Sequence, residues 1–149
     1  MSEYIRFYEN KQLQKVESVL MEFHQHVLES GFEPNEASVF LQNATRFCVD
    51  YYTFYYLQDL SLLKPANLDD YLGSWLFSSR LEIDQTILQS EINALQLFIQ
   101  FLKNRQILSH TQSLELLVML ENSSVFFSRA VEFKALKNKQ SQQRITDDP

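Results

Sequence analysis

Four tyrosines, Tyr51, Tyr52, Tyr55 and Tyr56, stand in the run RFCVDYYTFYYLQDL (46–60), the densest cluster of chemically versatile side chains in the sequence. A phenol pairs an apolar ring with a hydroxyl that both donates and accepts hydrogen bonds. These four are therefore the candidates for a ligand pocket. The competing reading is core, since tyrosine can bury its ring and leave its hydroxyl at the surface. A second candidate group is cationic. Between Arg129 and Arg144 lie Arg129, Lys134, Lys137, Lys139 and Arg144, opposed by Glu132 alone. Arg129, Lys134, Lys137 and Lys139 could contact nucleic-acid phosphates, or could be a solvated helix end.

Catalytic chemistry finds little support. Cys48 lies inside the aromatic run with no histidine or cation one turn away on its own face, so it reads as a small buried hydrophobe. His24 and His26 are two apart and point to different sides of a helix, the wrong spacing for a metal pair. Asp69, Asp70, Glu82 and Asp84 could gather two carboxylates, but capping and the helix dipole account for acids near helix starts. The two glycines, Gly31 and Gly73, are too far apart for a phosphate loop, and the sequence lacks H-E-x-x-H, C-x-x-C and G-x-S-x-G. No catalytic, metal-binding or cofactor-binding residues are expected. The chain reads as a non-enzyme.

The 149 residues, 45% hydrophobic and 21% charged, suit one soluble domain with its own core. Two glycines and three prolines are too few turn-formers for a many-stranded β fold. The expected fold is all-α, a single orthogonal bundle of about five helices over 1–136, followed by a disordered polar tail over 137–149. The charged start MSEYIRFYENKQ does not look like a signal peptide, and INALQLFIQFL is too short to span a membrane. A cytoplasmic protein without membrane contact is expected. The net charge of −6 disfavours nucleic acid as a partner.

The elements follow from periodicity. Leu13, Val16, Leu20, Phe23 and Val27 define a first helix to about Ser30, which Gly31 ends. Pro34 and Asn35 open a second, aromatic helix that should end near 59–63, before Lys64-Pro65. Asn67 can cap a short third helix, whose Gly73 suggests close approach by another helix. Ser79 with Glu82 matches a capping box for a fourth, with Leu88, Ile92, Leu95, Ile99 and Leu102 inward. Ser109 with Gln112 does so for a fifth, carrying Leu114, Leu117, Val118, Leu120, Phe127 and Val131 inward, with a kink near Asn122–Ser124.

From about Asn43 to Leu108, TRFCVDYYTFYYLQDL, LKPANLDDYLGSWL and EINALQLFIQFLKNRQIL resemble the helical, SAM-like core-binding domain of tyrosine recombinases. Leu68, Tyr71 and Leu72 take the places of that family's short helix. Leu95, Phe98, Phe101 and Leu102 take those of the next, with Ile107 at the turn. The resemblance implies an orthogonal helical fold that clamps DNA. The recombinase catalytic domain has no counterpart in this chain, and acids outnumber bases across the matching region. The expected role is a small non-catalytic helical protein acting through protein–protein contacts, with a partner or with itself. The alternative is a nucleic-acid-binding module.

Overall fold

Val16, Leu20, Phe23 and Val27, spaced by three and four, are all buried along one face of the first helix, α1 (Glu3–Glu29). The structure is a computed structural model that describes residues 3–79 and 84–146. Helix α1 is continuous from Glu3 to Glu29, and Gly31 follows it in the left-handed region at φ 97°. Helix α2 comprises Pro34–Thr45, a π-helical stretch Arg46–Thr53 and a last turn Phe54–Tyr56. Pro34 is inside the first turn and not ahead of it, where its missing N–H costs nothing. The helix stops earlier than its apolar pattern suggests, because Leu57 turns left-handed at φ 51°.

After a 3-10 turn, Leu60–Leu62, helix α3 comprises Pro65–Asp70, a second π-helical stretch Tyr71–Trp75, and Leu76–Ser79. Asn67 caps this helix from its third position: its Oδ1 accepts the Lys64 N–H at 2.8 Å. Helix α4 spans Gln85–Asn104. Glu82 of the expected capping box lies outside the described residues. The cap is Asp84, whose Oδ1 accepts the Ile87 N–H at 2.8 Å. At α5 (His110–Glu121) the expected box is present, with Ser109 Oγ accepting from the Gln112 N–H and Gln112 Oε1 from the Ser109 N–H.

The expected kink is a full break. Residues 122 and 123 separate α5 from α6 (Ser124–Thr146), so the single all-α domain has six helices among the described residues, not five, and no strand. The break also resets the inward face. Leu116, Leu120, Phe126 and Ala130 are buried, while Leu114, Val118 and Val131 are exposed. LELLVML is apolar around most of its circumference, so its periodicity does not select a face. Helix α6 includes the polar segment from Lys137 as far as Thr146. Lysine, glutamine and arginine are good helix formers.

Helix α2 packs on α4 and on α1, and α4 on α5. The core is continuous and centred on α2 and α4, with Phe47, Cys48, Tyr52, Leu95, Phe98 and Ile99 inaccessible to solvent. Gly73 meets the close approach its sequence position suggests: a Cβ there would collide with the guanidinium of Arg129 from α6. That guanidinium pairs with Asp69 at 2.8 Å and lies over the Phe126 ring at 5.8 Å. Alanine should gain about 1 kcal/mol over glycine inside a helix. In urea unfolding, Gly73→Ala should deliver that gain only in an Arg129→Ala background and forfeit most of it in the wild type. Additive effects of the two changes would refute the contact.

Candidate functional site

The two π-helical stretches face each other and set the local arrangement. A π turn bonds residue i to i+5, so a side chain meets both the i+4 and the i+5 residue on its own helix. Phe47 accordingly contacts both Tyr51 and Tyr52, with ring centroids 5.8 and 6.1 Å apart, and Tyr51 contacts both Tyr55 and Tyr56, at 5.7 and 5.8 Å. A regular α-helix would keep these residues on two separate lines.

Beneath the rings lies a buried polar network joining α2, α3 and α4. Glu91 is fully buried. Its Oε1 is paired with Arg46, and its Oε2 accepts from the Tyr71 hydroxyl at 3.0 Å. Arg46 also donates to Asn43 Oδ1 at 3.0 Å, and Asn43 Nδ2 donates to Ser90 Oγ at 3.0 Å. An isolated carboxylate here would cost several kcal/mol in lost hydration, so the network is what allows Glu91 its place in the core.

Above it, at the surface, Tyr51, Tyr55, Tyr56, Asp70, Ser74, Trp75 and Ser78 line an open groove of about 410 Å³. The Tyr51 ring is buried, and its hydroxyl donates to Asp70 Oδ2 at 2.7 Å and lies 3.2 Å from that of Tyr56. Trp75 Nε1 donates to the Tyr55 hydroxyl at 3.3 Å, and the indole stacks on Tyr71 at 5.4 Å and 20°. Of the four candidate tyrosines, three thus border one groove. Tyr52 does not join them: its ring is inaccessible and its hydroxyl donates to the Asp59 carbonyl at 3.0 Å.

The cationic candidates are differently disposed. Arg129 is engaged by Asp69 and Phe126, and Lys137 lies over the Phe133 ring at 5.4 Å. Lys134 and Lys139 are exposed on α6. Arg105, which could extend a basic face, pairs with Glu22 at 3.4 Å. The acidic candidates do not gather. Asp69 faces Arg129, Asp70 faces Tyr51, Asp84 caps α4, and Glu82 lies outside the described residues. Among the described residues no cluster of histidine, cysteine or carboxylate could hold a metal, and no helix is long and apolar enough to cross a membrane. Burial raises the Cys48 thiol above its ordinary range, which disfavours a thiolate nucleophile.

Sequence reasoning missed Glu91, Arg46, Tyr71, Asp70 and Trp75 as a connected set. One signal was available. Glu91 falls three residues after Leu88 and four before Leu95, on the inward stripe of α4, and a charge on a buried stripe calls for a buried partner. Comparison with known protein families, with curated proteins and with solved structures finds no match.

Two predictions test this arrangement. Arg46→Met leaves the buried Glu91 carboxylate uncompensated and should cost about 3–5 kcal/mol in urea unfolding, whereas Arg46→Met with Glu91→Leu should cost much less, because an apolar pair of similar volume leaves no uncompensated charge. Equal losses in the two proteins would sink the account. The second concerns alkaline pH. Burial raises the Tyr51, Tyr52 and Tyr71 hydroxyls, with the Asp70 hydrogen bond adding at Tyr51 and the Glu91 charge at Tyr71; Tyr52 is pushed from 10.0 up to about 12. Groups held protonated in the fold contribute stability that is whole below pH 10 and is lost as pH rises toward and through 12. In an absorbance titration at 295 nm, these three tyrosines should ionise late and together with loss of the helical circular-dichroism signal. Complete tyrosinate formation in a still-helical protein would contradict it.

Proposed function

We propose that this protein is a non-catalytic binding module that recognises another protein chain through the aromatic edge formed by the end of α2 and the middle of α3. The observation that carries the reading is the exposure of Phe54, Tyr55 and Tyr56, at 72%, 57% and 39%, beside the half-buried Trp75. Scattered exposed hydrophobics need no explanation, but these form a continuous surface. The Phe54 and Tyr55 rings are 5.0 Å apart, and Tyr55 is hydrogen-bonded to Trp75. Tyrosine, tryptophan and phenylalanine are the residues enriched at interface centres, where large rings with few rotatable bonds bind at low entropic cost.

The resemblance to recombinase core-binding domains favours DNA as the partner instead. That reading has less support, since Arg129 and Arg105 are already engaged by carboxylates and the chain carries a net charge of −6.

Site-specific photo-cross-linking distinguishes the two. Benzoylphenylalanine in place of Phe54, introduced in the source cells, should yield a discrete protein adduct that the same group in place of Lys139 does not. Excess wild-type chain should compete the adduct away, and a Phe54→Ser, Tyr55→Ser chain should not. An adduct of twice the chain's mass would make the partner a second copy. No adduct, or equal adducts at both positions, overturns the proposal.

A further inference from the structure

We propose that the groove between α2 and α3 binds an alkylammonium group, specifically the side chain of a lysine on the partner protein. Tyr51 forms the floor. Tyr55, Tyr56 and Trp75 stand around it at nearly equal centroid distances, 5.7, 5.8 and 5.7 Å, inclined to its ring by 49°, 67° and 63°. With the Tyr51 ring itself buried, the exposed Tyr55 and Tyr56 and the half-buried Trp75 supply the ring surface of this groove, an open-sided box. The negative face of each ring attracts a cation that comes within about 6 Å of its centroid.

Asp70 adds a full negative charge. The hydrogen bond from the Tyr51 hydroxyl fixes its carboxylate against the box, and among the described residues no cation pairs with it. The walls are braced before any ligand arrives. Trp75 Nε1 ties the indole to the Tyr55 hydroxyl, and Tyr71 stacks on one face of the indole. An anion would meet the carboxylate and the ring faces unfavourably, and a neutral apolar group would gain nothing from Asp70. An ammonium on a flexible stem satisfies both features, and its methylenes can lie along the rings.

The choice of lysine as the source rests on the protein-binding reading above; the ammonium chemistry does not. The test therefore uses small probes on the full chain. Trp75 is the only tryptophan, so its fluorescence reports on the groove directly. At constant ionic strength, tetramethylammonium, choline and N-acetyl-lysine-methylamide should each change the emission saturably, while 3,3-dimethyl-1-butanol, the neutral isostere of choline, should not. Asp70→Asn retains an acceptor for Tyr51 and should weaken binding roughly tenfold, as should Tyr55→Ala. Far-UV circular dichroism confirms that both variants are folded.

Equal response to the neutral isostere, or binding indifferent to Asp70→Asn, overturns the ammonium assignment. So does no response to any cation, even where Phe54 cross-links a partner, and then the protein-binding reading stands alone. Saturation by choline and tetramethylammonium without the lysine compound overturns the lysine assignment and identifies a free quaternary ammonium as the ligand.

Discussion

A carboxylate buried at the centre of an apolar helix bundle is the constraint on which this structure turns. Glu91 sits on α4 where a leucine would fit the pattern, and its charge can remain there only while Arg46 and Tyr71 reach it together. These partners come from two other helices. The ion pair therefore fixes the rotation of α2 relative to α4, and the Tyr71 hydrogen bond fixes the position of α3. Apolar side chains slide past one another at modest cost, but an ion pair in a low-dielectric interior tolerates little displacement. In this fold the surrounding aliphatic residues supply driving force, and Glu91 contributes registry.

The π-helical stretches begin where that constraint is applied. Arg46 is the first residue of one and Tyr71 the first of the other. A widened turn changes the angular position of every side chain after it. In α2 the change brings Tyr51 against both Tyr55 and Tyr56, and the helix ends at once, at Leu57 in the left-handed region. A non-glycine residue there costs about 1–2 kcal/mol, a strain that persists where the surroundings impose it. Had the apolar run continued as regular helix toward Leu63, its rings would have been distributed around the axis. The early stop leaves Phe54, Tyr55 and Tyr56 together at the surface.

The sequence disclosed those features that arise within one element. The α1 stripe, the Ser109–Gln112 box and the crowded approach at Gly73 all depend on spacings within one helix or on the properties of one residue. Features that arise between elements stayed hidden. Tyr51, Tyr52, Tyr55 and Tyr56 are chemically alike in the sequence, and helical periodicity separates Tyr51 and Tyr55 from Tyr52 and Tyr56. The structure instead separates Tyr52 from the other three, because the division depends on a π turn that periodicity assumes away. Asp70 resembled a helix-start acid until Tyr51 came within 2.7 Å of it. Arg129 resembled a free cation until Asp69, sixty residues earlier, was found beside it. The face of α5 was hidden for another reason, since LELLVML offers more than one apolar face and the break at 122–123 decided which was used.

Tyr71 gives the buried charge and the surface groove a common support. Its hydroxyl binds Glu91 and its ring stacks under Trp75, so the residue that satisfies the core carboxylate also holds up a wall of the groove. A ring attached only at the surface would sample several rotamers and lose that freedom on binding, at roughly 0.5–1.5 kcal/mol per side chain. Trp75 has less to lose: Tyr71 supports one face, and the Tyr55 hydroxyl holds its nitrogen. The ordering is met during folding, by the same interactions that keep Glu91 in place, and need not be met again when a ligand enters. Replacing Glu91, Arg46 and Tyr71 with aliphatic residues could give an equally stable bundle, but it would leave Trp75 without the flat, anchored ring beneath it. Stability alone does not account for a charged centre in this core; under the proposed binding role, the support it gives Trp75 through Tyr71 does.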